Sequence, residues 1–254
     1  MSKIKQVSFT LLTLLVLLSI TGCKHDTFTV CGTLENGAGK TLWLEELAPE
    51  GPLFIDSIAV DSKGNFSYKY KMPYRSLYNL HTTDNNFAVL LPDYGEKVKI
   101  GGDWNNLSLT YTVDGSPESQ LLWQLQQLTN DGAAVITDLI DTARHYDMLL
   151  QQGAVNESTV AAKRHITDSI YRAERDLQHE YVCGFIVENS GSLATMIALY
   201  KSFNTLPIIH PNDTASLYYY DLVLEGLQQR YPDNPHTLRF QTTVDRMHSA
   251  LLPL

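Results

Sequence analysis

Thiols, imidazoles, carboxylates and one glycine-rich turn are the groups in this sequence that could do chemistry. The histidines (25, 81, 145, 165, 179, 210, 236 and 248) show no HExxH and no paired spacing, so zinc chemistry has no ligand set in the sequence. His210, between Ile209 and Pro211, reads as a loop residue. Asp138 with Asp141, or Asp168 beside His165, could supply an acid and a base, yet such pairs on a helix usually mark a solvated face. Gly37-Ala38-Gly39-Lys40-Thr41 imitates the tail of a phosphate-binding loop. Leu34 stands where its first glycine should be, and the stretch joins two strands instead of opening a helix, so it reads as a turn. No G-x-S-x-G nucleophile elbow occurs.

The N-terminus carries a more specific signal. Lys3 and Lys5 precede an apolar run, Phe9–Ile20, too short to span a bilayer, and Ile20-Thr21-Gly22-Cys23 follows. That tetrapeptide resembles the bacterial lipobox, in which the Cys is diacylated before cleavage makes it the new N-terminus. Residues 1–22 then form a lipoprotein signal peptide and 23–27 a lipidated tether. Two or three acyl chains, at about 0.8 kcal/mol per buried CH₂, hold a protein on a membrane where one would not. By the same resemblance, Lys24 in place of Asp after the Cys directs the protein to the outer membrane, facing the periplasm.

Cys31 and Cys183 are the remaining thiols, in an oxidising compartment where a pair persists. A bridge would staple the two halves of the chain and stabilise by up to about 4–5 kcal/mol in the chain-entropy model. The alternative is a separate strand thiol at Cys31 and a buried small residue at Cys183. Rings with polar tips, Trp104, Tyr111 and Tyr218-Tyr219-Tyr220, suit a surface for peptide or sugar; core packing and sheet edges are the competing reading. Asp213-Thr214-Ala215 is the one short Asp-Ser/Thr-apolar acceptor of O-glycosylation type that falls in a loop or helix start.

The elements that must position these groups come in two kinds. Alternation at period two marks Phe28–Leu34, Lys40–Glu45, Ile55–Tyr70, Leu77–Thr82, Phe87–Leu91, Lys97–Gly101 and Leu107–Val113. Ile55–Tyr70 reads as a β-hairpin about Asp61-Ser62-Lys63-Gly64-Asn65. Residues 28–115 are therefore expected to form an antiparallel β sandwich or barrel of seven to eight short strands. From Ser116-Pro117-Glu118, a cap followed by a first-turn Pro, only helices are expected. They run roughly over Pro117–Asn130, Ala133–Gln152, Glu157–Asn189, Ser192–Phe203, Thr214–Tyr231 and Pro235–Leu252, making 116–254 a helical bundle and the chain α+β. Ile166, Ile170, Ala173, Leu177, Tyr181 and Phe185 form a stripe expected to lie on that core.

The 254 residues are 44% hydrophobic and 19% charged, the composition of an ordinary globular protein. A formal charge of −9 argues against nucleic acid as a partner. With both halves placed, the chain resembles the N-terminal β domain and helical linker of Bacteroidetes lipoproteins of the thiol:disulfide interchange type. The features that carry this are Cys23 in its lipobox, Val30-Cys31-Gly32-Thr33-Leu34, Leu42-Trp43-Leu44, Ile55-Asp56-Ser57, Gly64-Asn65-Phe66, Leu77-Tyr78, Ile100-Gly101-Gly102-Asp103, Val113-Asp114-Gly115-Ser116, Phe185–Ala194 and Ala198-Leu199-Tyr200. Such relatives continue into a thioredoxin-like domain carrying Trp-Cys-x-x-Cys; this sequence reaches Leu251-Leu252-Pro253-Leu254 without that motif, so the redox chemistry is not carried over. The expectation is a non-enzymatic, lipid-anchored envelope protein without a cofactor, acting as a binding or accessory module. The rivals are thiol–disulfide exchange with a thioredoxin-like partner in trans, and glycan or peptide binding.

Replacing Cys23 by Ala should abolish fatty-acid labelling, because only the thiol accepts the diacylglyceryl group. It should also shift the protein from the detergent to the aqueous phase; unchanged partitioning would mean that Phe9–Ile20 remains as a membrane segment.

Overall fold

The computed structural model describes residues 26–252; Cys23 and its lipobox lie outside them. Strands β1 (Thr27–Glu35), β2 (Thr41–Ala48), β3 (Gly51–Ala59), β4 (Asn65–Lys71), β5 (Tyr78–Thr83), β6 (Asn86–Leu90), β7 (Lys97–Asp103) and β8 (Thr112–Asp114) form two four-stranded sheets. One has the order β4-β1-β7-β8, the other β3-β2-β5-β6. They share one core, with Phe28, Val30, Leu34, Val98 and Ile100 from the first and Leu42, Leu44, Ile58, Tyr78, Leu80 and Leu90 from the second. The β sandwich followed by helices is thus as the sequence implies.

Pairing departs from the sequence reading in three ways. The stretch 55–70 is no hairpin, since β3 pairs with β2 and β4 with β1, in opposite sheets. The turn between them is an arch in which the Asp61 Oδ1 accepts the amides of Lys63 and Asn65, both at 2.8 Å. Gly64 takes φ +85°, and a Cβ there would lie 2.5 Å from the Leu34 carbonyl oxygen, so the arch is closed against β1. The turn after β1 likewise leads β2 into the other sheet and does not fold it back. Finally, β1 and β7 run parallel, the exception in an otherwise antiparallel sandwich. Gly32 fits this crowding, because a side chain on it would meet the Ile100 carbonyl oxygen at 1.7 Å. Pro52 and the β2–β3 bulge sit on β3, an edge strand, where a missing donor is tolerated.

The expected strand Leu107–Val113 is a short helix, α1 (Leu107–Thr110), then β8. Ser116 caps α2 (Pro117–Gln151), which is one helix where two were expected. Asp131-Gly132 is the site of the expected break, but Gly132 lies against the Gln178 side chain, and a Cβ there would be 2.6 Å from Nε2. Its small size serves close packing of α2 on α3 (Glu157–Glu188). Next come α4 (Ala194–Leu199), a two-stranded hairpin of β9 (Ser202–Phe203) and β10 (Leu206–Pro207), α5 (Leu217–Arg230) and α6 (Pro235–Leu251). The helix expected to reach Phe203 therefore stops at Leu199, and the helical half contains a hairpin. Asn204 and Thr205 both take positive φ (45° and 71°), the requirement of a tight hairpin turn.

The two halves meet along a seam. Leu77 and Leu91 of the β half join Leu122, Leu125, Val182, Ile186, Leu199, Val223 and Phe240 in the helical core. Polar bonds surround this contact: the Ser119 hydroxyl accepts the Leu91 amide at 3.0 Å, and Asn234 Nδ2 donates to the Arg75 carbonyl at 2.8 Å. Arg75 pairs with Asp93 and with the Tyr231 hydroxyl. Ser76 Oγ and His236 Nε2 lie 2.8 Å apart, both fully enclosed.

Burial holds the His236 imidazole below its usual value, against a smaller opposing pull from Glu46. The unfolded chain then binds the proton more readily, so this ring's contribution is complete above about pH 6.5 and is lost as the pH falls towards its folded value. Urea denaturation between pH 7.5 and 5 should show falling stability, and His236→Gln should flatten that slope.

Candidate functional site

A cleft of about 640 Å³ opens between α3, the β9–β10 hairpin and the start of α5. Helical spacing brings Tyr171, Arg175 and His179 of α3 onto it, with Asp176 at the rim. Phe203, Leu206 and Pro207 of the hairpin form the opposite wall, and His210, Asp213 and Tyr219 close one end. The hairpin is thus what makes a cleft out of a helix face. Tyr171 and Phe203 pair with ring centroids 5.3 Å apart and give an aromatic platform.

The charges in the cleft are largely committed. Arg175 donates through Nε and Nη2 to the Asp176 Oδ1, at 3.0 and 2.7 Å. Asp213 Oδ1 accepts the Ala215 amide at 3.0 Å and so caps the short helical turn Thr214–Ser216. The imidazoles of His179 and His210 add hydrogen-bonding ring nitrogens to the lining. Tyr219, half-buried beside the Cys183 thiol, is pushed up to about 12, so its hydroxyl remains neutral.

Cys183 stands behind this wall in the helical core. Its sulfur is 3.8 and 3.7 Å from the Nδ1 and Nε2 of His179. Nearly equal distances to both ring nitrogens mean that neither N–H axis is aimed at the sulfur, so the pair is not arranged as a nucleophile with its base. Ser76 with His236 has the bond length of a hydrolytic dyad, but both side chains are sealed in the seam and no substrate reaches the hydroxyl. Among the described residues no group of three or more His, Cys, Asp or Glu could hold a metal ion.

The sequence candidates disperse. Cys31 and Cys183 are both free, which corrects the staple: Cys183 belongs to the helical core, whereas Cys31 lies on the outward face of β1. There it lines an open groove of about 530 Å³ with Thr33, Lys97, Lys99 and Asp114. Tyr111 is no surface ring but part of the sandwich core, 1% exposed, its carbonyl accepting Trp123 Nε1 at 2.7 Å. Trp104 rests half-buried against that core with the Lys40 ammonium over its ring. The three consecutive tyrosines point three ways around α5. Tyr218 is 59% exposed, Tyr219 enters the cleft, and Tyr220 is 1% exposed and stacked on Phe240. Thr214 of the Asp213-Thr214-Ala215 motif is exposed beside the cleft. Of the aromatic candidates, Tyr219 alone belongs to this site. The sequence reading missed Tyr171, Arg175, His179, Phe203 and His210; Asn204-Thr205 was the available turn signal for the wall that unites them.

No family model matches the chain, and no curated protein and no solved structure is significantly similar to it.

Alkylation should separate the two thiols. Cys31 should react in the native protein and Cys183 only after denaturation, with both free in unreduced samples; mass spectrometry of the labelled peptides reads this directly, and a native sample in which neither thiol labels would contradict the placement of Cys31.

Proposed function

We propose that this chain is a lipid-anchored protein of the bacterial cell envelope, on the outer membrane facing the periplasm, that acts as a non-enzymatic binding module through the α3–hairpin–α5 cleft. Its likeness to the N-terminal part of thiol:disulfide interchange lipoproteins belongs to the same proposal. The cleft carries it: aromatic faces and hydrogen-bonding groups converge there without a nucleophile and base in working geometry. No helix among the described residues is long and apolar enough to cross a membrane, so the anchor of this proposal rests on the lipobox.

The lining favours a neutral, hydroxyl-rich ligand of the glycan kind over an acidic peptide. Arg175 is paired with Asp176, and Asp213 adds negative charge, both of which disfavour an incoming carboxylate. Sugar C–H faces can instead lie on Tyr171, Phe203 and Tyr219, while hydroxyl groups exchange bonds with imidazole, guanidinium and carboxylate. The second reading, a thiol–disulfide accessory working with a thioredoxin-like partner, draws on the free, partly exposed Cys31 beside Lys99.

Calorimetric titration with a panel of neutral mono- and disaccharides tests the first reading. Tyr171→Ala or Tyr219→Ala should weaken binding about tenfold or more, given roughly 1–3 kcal/mol for a stacked ring desolvated in a site. Binding indifferent to both changes would reject the cleft, and insulin reduction by the purified protein alone would reject the non-enzymatic assignment.

A further inference from the structure

The apolar stripe that the sequence assigns to the helical core is uncovered over most of its length. On α3, Ile166 is 50%, Ile170 45%, Leu177 53% and Tyr181 37% exposed, with Ala173 also exposed between them. Spacings of four, three, four and four place all of them on one narrow strip of the helix. Contacts to α2 use another side of α3, where Gln178 donates to the Leu128 carbonyl and Arg164 to Asp147. The cleft adjoins that side, with Tyr171 at the border and Arg175 and His179 beyond it. The strip is therefore surplus to both.

We infer that this strip is a homodimer interface in which α3 of one copy lies antiparallel on α3 of a second. Three observations select that occupant. First, the strip is palindromic about the bond between Ala173 and Glu174: reversal sets Ile166 against Tyr181 and Ile170 against Leu177, with the small Ala173 beside the crossing, where the helix axes must come closest. Second, the charges favour one sense. Lys163, its ammonium 5.3 Å over the Tyr146 ring of α2, stands near the N-terminal end of the strip and the exposed Glu180 and Glu188 near the C-terminal end, so antiparallel pairing brings opposite charges to each end, whereas parallel pairing would align like charges. Third, the exposed apolar area is of the order of a few hundred Å² per copy, the size at which a surface patch is commonly functional. Two such strips with their flanks would bury roughly 1,000 Å², the lower end of specific interfaces, which implies a concentration-dependent dimer.

Cysteine bridging of the full chain in cells tests this pairing. In a background with Cys31→Ser and Cys183→Ala, Ala173→Cys should give a reductant-sensitive band of twice the chain mass, because only a residue beside the two-fold axis meets itself. The same background with Ala173 intact controls for bridging through Cys23. Ile166→Cys alone should remain at the control level, and Ile166→Cys with Tyr181→Cys should restore the doubled band. Adding Leu177→Glu to Ala173→Cys should remove it. Light scattering of the otherwise unaltered chain in detergent should likewise show two copies, reduced to one by Leu177→Glu. A control-level result for Ala173→Cys, bridging by Ile166→Cys alone, or a bridged product with a protein of different mass would overturn the inference.

Discussion

The seam between the sandwich and the helices is the contact on which the remainder of the structure depends. Helices α4, α5 and α6 bury their apolar faces on a core that the β half completes with Leu77 and Leu91. Apolar contact alone would leave the halves free to slide, since it has no direction. Orientation comes from bonds that do: Leu91 to Ser119, Asn234 to the Arg75 carbonyl, and Ser76 to His236. Glu118, in the first turn of α2, adds an ion pair with Arg230 at 2.8 Å and a bond from Ser192. Ser76, Ser119 and His236 are buried, so breaking one of their bonds would strand a polar atom at a cost of about 1–3 kcal/mol.

That fixed seam positions the cleft. Its wall on α3 and its end on α5 are held by the same core, in which Tyr219 packs against a cluster that includes Cys183. Thiol and phenol here serve as a packed support. The opposite wall is a hairpin whose turn holds Thr205 at φ 71°, a position that disfavours β-branched residues.

The long helices divide their surfaces among distinct tasks. One side of α3 packs on α2, where Gly132 admits the Gln178 side chain, and continues at Tyr171 into the cleft wall; another is apolar and open. An uncovered strip with isoleucine and leucine near half exposure works against solubility unless something covers it. The hydrophobic pattern of α3 is thus the pattern of a helix with two apolar contacts to make, of which the folded chain supplies one.

The sequence by itself determined the division into strands and helices, most strand positions and the cap at Ser116. These are local matters: period two against period 3.6, a cap within three residues, a Pro in the first turn. Only the tertiary structure decided which edges pair. The residues 61–65 make an equally good turn whether the chain returns to its own sheet or crosses to the other, and the choice rests on β1 accepting β4 and β7 as neighbours. The same limit governs the site. Tyr171, His179, Phe203 and His210 are separated along the chain and carry no shared motif, so nothing local marks them; they meet because the hairpin folds back on α3. Tyr218, Tyr219 and Tyr220 show the reason in miniature, since identical neighbours are sent to solvent, cleft and core by a rotation of about 100° per residue about an axis that only packing orients.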